Sequence, residues 1–569
     1  MLNAICETGT RIQFDKEFLH HDFDFINVHA TNIIPEEGSK PNTLDLQNTN
    51  FGIINLKINK KDPIAQKRHF VFSVDCSGSM SDLCKDGRTK MDHSNHTLIN
   101  MITYFADHIE LNVSITVFAF DDSIYTIIEN QEVTQDNLDK LIQNIKKIRP
   151  RDMTNIEKAL INSDRYIMDY NSNNNDVYIT HIFMTDGDAT IGCEKPNELN
   201  KLVSPLISNI FIGFGIDHNA YLLKELAVVN SKNNYYFVDA LEKAGLVYGE
   251  VLHSIIYRVL ENTNIRVVNG LVYDWKKNKW VDRIDIGDLI SECNKIFHVL
   301  SDNPSEFSCI VQCSDCLSKE TCEVSIQNTI KKIYDTNNEF VGNDGFINLT
   351  NYKYRQKTQQ LLSEVNTHNF DKITNNIHDS NVDNYNLLKE KDKLLKNKMT
   401  NLLKEMQQFL EKDEPKSDAS FIKLLCDDIY VCLQTFDTKH GAMYSCARQT
   451  SQGSQRAYSA TCTPKAHNNN EQNHHVFDIP DFGTPMIKRS YAVNYKNDCY
   501  DDELNNDNFN KPFYRKHLDE YECEHEDEDV NDGYKLSDQV DNPYSTLSIL
   551  DLMRSCSTNN ENSDDIVLG

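Results

Sequence analysis

His69-Phe-Val-Phe-Ser-Val-Asp-Cys-Ser-Gly-Ser-Met80 decides the fold. The apolar run ends in Asp75, and Ser77 and Ser79 follow at alternate positions, giving D-x-S-x-S where a strand hands over to a loop. Three hard oxygen donors in such a loop can hold a divalent cation. Two other segments offer the same chemistry. Thr154 stands in Asp152-Met-Thr-Asn-Ile156, and Asp186 in Phe183-Met-Thr-Asp-Gly-Asp188, which closes a second apolar run. Five oxygen donors therefore come from three loops.

Outward from the motif, residues 68 to 262 alternate between short apolar runs and amphipathic helices. Met91, Leu98, Ile102, Phe105 and Ile109 recur at helical period, and Leu111, Val113, Ile115, Val117 and Ala119 alternate as a strand does. Leu138, Leu141, Ile142, Ile145 and Ile148 return to helical spacing before Arg149-Pro150 stops the chain. A helix over 155–170, strands over 177–184, 207–216 and 235–238, and a closing helix over 241–260 complete the unit. This alternation predicts an α/β fold with a doubly wound, mostly parallel sheet. Asp75 and Asp186 fall at carboxyl ends of strands, where open α/β sheets bind ligands.

The donor set, its order and its strand contexts resemble the metal-ion-dependent adhesion site of von Willebrand factor A domains. That resemblance implies direct metal ligation by Ser77 and Ser79, ligation by Thr154 directly or through water, and water-mediated roles for Asp75 and Asp186. It implies Mg2+ or Mn2+ as the ion, and a protein ligand whose Asp or Glu carboxylate fills the open coordination position. Asp152 stands where many members have glycine, which makes Thr154 the least secure of the five. The bland alternative is that Ser77, Ser79 and Thr154 only cap turns and helices; capping alone requires neither aspartate. Asp188 reads as an exposed turn acid.

The flanking segments divide into four. Residues 1–67 form an extension whose strand, Phe51–Ile58, is expected to pack beside the domain that follows. Residues 263–345 read as a small antiparallel β module, and 346–438 as three helices. Residues 439–569, with the acidic block Glu522-Cys-Glu-His-Glu-Asp-Glu-Asp529, read as a largely disordered tail with a short helix near 542–556. This order, with Ser445-Cys-Ala-Arg-Gln449 and the segment at Asn542, looks like an intracellular family whose A domain is followed by an intein-associated region.

Composition narrows the function. The 58 Lys and Arg against 86 Asp and Glu give a net charge of -28, which disfavours nucleic acid. No run approaches the ~20 apolar residues of a membrane span, and Met1-Leu-Asn-Ala-Ile-Cys-Glu7 lacks the pattern of a signal peptide, so an intracellular, cytoplasmic protein is expected. Asn-rich tracts such as Asn171–Asp176 read as the coding bias of an AT-rich genome. The 16 scattered cysteines suit buried free thiols. Cys309, Cys313, Cys316 and Cys322 (C-x3-C-x2-C-x5-C) have the number but not the paired spacing of a zinc site. Lys389, Lys391, Lys393 and Lys396 spread around their helix and read as a solvated face, and His474, His475 and His525 as solvated tail residues.

No nucleophile elbow, P-loop, zinc-protease or dinucleotide motif is present, and Cys76 has no motif-paired histidine. The expectation is a non-enzymatic, divalent-cation-dependent protein-binding module of unspecified oligomeric state. An accessory factor of an enzyme complex such as ubiquitin transfer, and a scaffold with an unused metal site, are the alternatives.

Overall fold

The computed structural model describes residues 2–5, 11–14, 19–27, 50–83, 87–151, 153–174, 176–187, 189–215, 218–238, 244–303, 306–327, 333–335, 349–375, 382–412, 419–436, 438, 440–457 and 544–558. Four strands come first: β1 (Leu2–Ile5), β2 (Arg11–Phe14), β3 (Leu19–Asn27) and β4 (Asn50–Ile58). The α/β unit then runs β5 (Lys67–Asp75), α1 (Lys90–Asp107), β6 (Val113–Phe120), β7 (Ile124–Glu132), α2 (Leu138–Ile145), α3 (Ile156–Asn173) and β8 (Val177–Thr185). It continues through α4 (Pro196–Leu199), β9 (Ser208–Phe214), α5 (Ala220–Val228), β10 (Asn234–Val238) and α6 (Ala244–Ile256).

Its sheet has the order β10-β9-β8-β5-β6-β7, parallel throughout except for β7 at one edge. Every residue of β5 after Lys67 is buried, because helices cover both faces of the sheet. Phe70, Phe72 and Val74 face a core shared with α1, α2 and α6, while Val71 packs toward Ile167 of α3. Among the described residues β7 pairs with β6 alone, and it is mostly exposed. From β5 the chain builds β6 and β7 on one side, then crosses to β8 on the other, so the carboxyl ends of β5 and β8 meet at the topological switch point.

Three expectations for the α/β unit and its flanks need adjusting. Ile109 is 66% exposed because α1 ends at Asp107 and a 3-10 turn begins at Ile109. The helix expected to reach residue 260 stops at Ile256, and Arg258 opens β11 (Arg258–Val268). The Phe51–Ile58 strand joins the β-rich module, pairing residue for residue with a strand some 240 positions later, rather than lying beside the α/β unit.

That module comprises β11, β12 (Leu271–Asp274), β13 (Lys279–Val281), β14 (Arg283–Ile290), β15 (Asn294–Ser301), β16 (Ser308–Asp315), β17 (Thr321–Gln327) and β18 (Ile333–Asp335) with β1–β4. Two sheets result, β14-β11-β16-β17-β1-β2 and β13-β12-β15-β4-β3-β18, antiparallel except for β18 on β3. Ile54, Leu56 and Val299 of one sheet and Ile265, Val267 and Val311 of the other share a single apolar core.

α7 (Leu349–Asn375), α8 (Val382–Lys412) and α9 (Ala419–Thr435) pack around Leu362, Met399, Met406, Leu425 and Ile429. Residues 441–457, placed by the sequence in the disordered tail, are ordered: α10 (Gly441–Ser454) is buried among α7, α9 and α5. The expected tail helix is α11 (Leu547–Thr558), docked on α6 with Ile549, Leu552 and Met553 in the α/β core. The acidic block at 522–529 and the histidines at 474, 475 and 525 lie outside the described residues. Among the described residues no helix is long and apolar enough to cross a membrane.

Candidate metal centre

Asp75 ends β5 fully buried, and both its carboxylate oxygens are engaged. The backbone N–H of Ser77 donates to Oδ1 (2.8 Å), and the Thr185 hydroxyl, from the end of β8, donates to Oδ2 (2.6 Å). The D-x-S-x-S loop then turns through the 3-10 segment Gly78–Ser81, anchored by the fully buried Met80. The carbonyl of Cys76 accepts from the N–H of Arg151 (2.8 Å), tying this loop to the one that holds Thr154.

The hydroxyls meet the second aspartate directly. Ser77 Oγ and Ser79 Oγ are 3.1 Å apart, and the Ser79 hydroxyl donates to Asp186 Oδ1 (2.8 Å). Gly187 leaves room here: a Cβ at that position would meet only Ser79 Oγ, at 3.6 Å. Thr154 is buried, and its N–H donates to Thr190 Oγ1 (2.8 Å) while its carbonyl accepts from the N–H of Thr190 (2.9 Å). The Asn155 side chain caps α3 through the N–H of Lys158 (2.9 Å), so that loop position is also a helix cap. Asp75, Ser77, Ser79 and Asp186 thus form one hydrogen-bonded chain; the loop of Thr154 touches it at Arg151, while the backbone of Thr154 itself bonds to Thr190. Asp152 and Asp188 lie outside the described residues.

Residues 70–249 match the von Willebrand factor type A domain. This part of the chain is a von Willebrand factor type A domain. No curated protein matches the chain. Solved structures with a similar fold include a von Willebrand factor type A protein from Catenulispora acidiphila, 12% identical over 63% of this chain and 83% of that one, with a TM-score of 0.42. Another is the ArnB paralog VWA2 from Sulfolobus acidocaldarius, 14% identical over 77% of this chain and 99% of that one, with a TM-score of 0.43. A third is proximal thread matrix protein 1 from the mussel byssus, described with a zinc-occupied MIDAS motif, 16% identical over 37% of this chain and 51% of that one, with a TM-score of 0.29.

Two groups at the A-domain site escaped the sequence. Thr185 precedes Asp186 and reads as one more strand residue, yet its hydroxyl holds Asp75. Lys90 Nζ lies 2.8 Å from Asp186 Oδ2 and 3.3 Å from Asp82 Oδ2. The signal that could have found Lys90 is the capping box Thr89-Lys-Met-Asp92, which fixes the start of α1 beside the D-x-S-x-S loop. Electrostatics follow from this packing. Burial first, and then the neighbouring Asp186, push the Asp75 carboxyl up to about 7, against the hydrogen bonds of Thr185 and Ser77. Burial lowers the proton affinity of Lys90, but the Asp186 and Asp82 carboxylates outweigh it and raise the ammonium overall.

The donor set fits a hard cation. Adjacent ligands of an octahedral magnesium at ~2.0–2.1 Å are separated by about 2.9 Å; the Ser77 and Ser79 hydroxyl oxygens are 3.1 Å apart, and the Ser79 hydroxyl donates to Asp186 as a ligating hydroxyl would to a carboxylate outside the inner shell. Among the described residues no group of three or more His, Cys, Asp or Glu side chains gathers to hold a metal. The A-domain set, with two carboxylates and hydroxyls, is of a different kind. Among the described residues no cluster of cysteine thiolates is assembled either. Cys309 and Cys313 lie in one strand about 13 Å apart along its axis, both in the core of the β module. Burial pushes the Cys309 and Cys316 thiols up to about 12.

Proposed function

We propose that the A domain is a divalent-cation-dependent protein-binding module. The observation that supports it most directly is the pair of Ser77 and Ser79 hydroxyls, 3.1 Å apart and backed by the Asp186 carboxylate, at the switch point of the sheet. Ser77 and Ser79 would hold the ion directly, Thr154 directly or through water, and Asp75 and Asp186 through water. Once bound, Mg2+ or Mn2+ supplies an electrophilic position for a carboxylate oxygen of a partner. Neutral hydroxyls preserve that electrophilicity, because they do not cancel the ion's charge as an inner-shell carboxylate would.

A binding role also agrees with the state of the reactive groups nearby. Burial pushes the Cys76 thiol, inside the loop, up to about 12, leaving it without nucleophilic character. The protein is further proposed to work inside the cell, where its buried free cysteines stay reduced.

An array of Asp- and Glu-containing peptides probed with the full chain in magnesium tests this function. Binding that disappears in chelator and in Asp75→Ala supports it. Peptide binding that survives both removes the metal bridge.

A further inference from the structure

Lys90 is the first residue of α1, the helix end where the backbone dipole is positive and a cation is disfavoured. Its placement is nonetheless fixed on three sides. The Thr89–Asp92 capping box sets the helix start, the N–H of Lys90 donates to the Asp82 carbonyl (3.0 Å), and Leu83 bridges to Thr89 across the neck of the loop. The side chain is 13% exposed and delivers its ammonium to Asp186, whose side chain is fully buried. With Ser79 on Oδ1 and Lys90 on Oδ2, both oxygens of Asp186 are occupied, as both oxygens of Asp75 are by Ser77 and Thr185. The same ammonium lies 3.3 Å from Asp82, whose side chain is 64% exposed.

We propose that Lys90 is a tethered counter-cation of the A-domain site, one that neutralises Asp186 in the metal-free protein and hands over to Asp82 when a divalent cation binds, an assignment that rests on the divalent-cation reading of this site. The buried Asp75 and Asp186 carboxylates repel each other, and one ammonium offsets much of that cost. A divalent ion placed beside Ser79 and Asp186 would stand close to the ammonium, which opposes its entry. Asp82 gives the ammonium a solvent-facing carboxylate to move to without unwinding α1. Lys90 therefore lowers cation affinity while stabilising the metal-free fold, two effects of opposite sign that a ligand or a merely structural residue would not produce together.

Calorimetric titration of the full-length chain with magnesium chloride, beside thermal unfolding in chelator, tests the assignment in wild type, Lys90→Met, Lys90→Arg and Asp82→Asn. Lys90→Met is expected to bind magnesium roughly tenfold more tightly, to melt lower than wild type in chelator, and to recover in magnesium. Lys90→Arg, which keeps the charge, is expected to bind as wild type does, and Asp82→Asn, which removes the landing site, more weakly. Equal or weaker binding by Lys90→Met overturns the assignment. Should that variant not fold, unchanged affinity in Asp82→Asn does the same. Failure of wild type to bind magnesium or manganese would instead remove the divalent-cation reading itself, and the assignment with it.

Discussion

At the scale of single residues, buried polar groups set the balance between function and stability. His253 of α6 is fully buried and stacked on Tyr257, and neither ring nitrogen has a hydrogen-bond partner among the described residues. Burial pushes its pKa down from 6.5 to about 4, against the opposing charge of Glu292. The unfolded chain therefore takes up a proton between about 6.5 and about 4 that the folded one refuses, and the fold loses stability as pH falls through that window. His253→Phe keeps the stacking and removes two unsatisfied nitrogens. Urea unfolding is expected to show it more stable by roughly 1–3 kcal/mol at pH 7, with a larger gain at pH 5. A gain that does not grow on acidification contradicts the assignment of His253 as neutral. Asp75, Ser77, Ser79 and Asp186 were legible in the sequence because their spacing relative to apolar runs has a chemical meaning. Lys90 was not, because its role depends on how α1 is seated against a loop, and a lysine at a helix start is locally unfavourable.

At the scale of elements, packing overrode local preference in two places. Gly249 lies within α6, where alanine would ordinarily stabilise by ~1 kcal/mol. A Cβ there would stand 2.5 Å from Met553 Cα of α11, a backbone clash that no rotamer relieves. Gly249→Ala is thus expected to displace α11, read as faster amide exchange over 547–558 and a lower melting temperature; unchanged exchange would show that the helices do not approach so closely. The second place is α10, whose Ser, Arg and Gln residues read as a solvated tail. Its Arg448 donates to Asp428 Oδ1 (2.9 Å), Gln452 donates to Asp428 Oδ2 (2.6 Å), and Asn366 of α7 donates to Gln449 (2.6 Å). These partners are distant in sequence, so composition misreports the burial. Arg448→Met leaves the Asp428 carboxylate buried without its cation and is expected to cost roughly 3–5 kcal/mol, measured by denaturant unfolding. A cost under about 1 kcal/mol, the scale of exposed pairs, would mean the pair is solvated.

At the scale of the whole molecule, the A domain does not close its own core. On one face Ile549, Leu552 and Met553 of α11 complete the cluster built by β5, α1 and α6. On the other, Met443, Tyr444, Cys446 and Ala447 of α10 complete the one that includes Leu222, Leu223 and Leu226 of α5. Buried Arg355 of α7 links the rest, donating to the Ile296 carbonyl in the β module (3.2 Å) and to the Gln452 carbonyl in α10 (2.7 Å). The sheet class was legible because period-two and period-3.6 patterns report local burial. The assembly was not, since β4 finds β15, and α11 finds α6, only in three dimensions. Removal of residues after 543 is therefore expected to lower the melting temperature and raise binding of a hydrophobic dye; an unchanged transition would show that α11 adds no stability. For the same reason the full chain, and not residues 68–262 alone, is the object in which to measure the site.

The central claim is that Ser77 and Ser79 hold a divalent cation at the end of β5. Calorimetric titration of the full-length chain with magnesium, beside the Ser77→Ala, Ser79→Ala double variant, tests it most directly. Saturable one-site binding in the wild type that vanishes in a variant with an unchanged circular-dichroism spectrum is the predicted result. Absence of binding in the wild type, or identical binding in the variant, would contradict it.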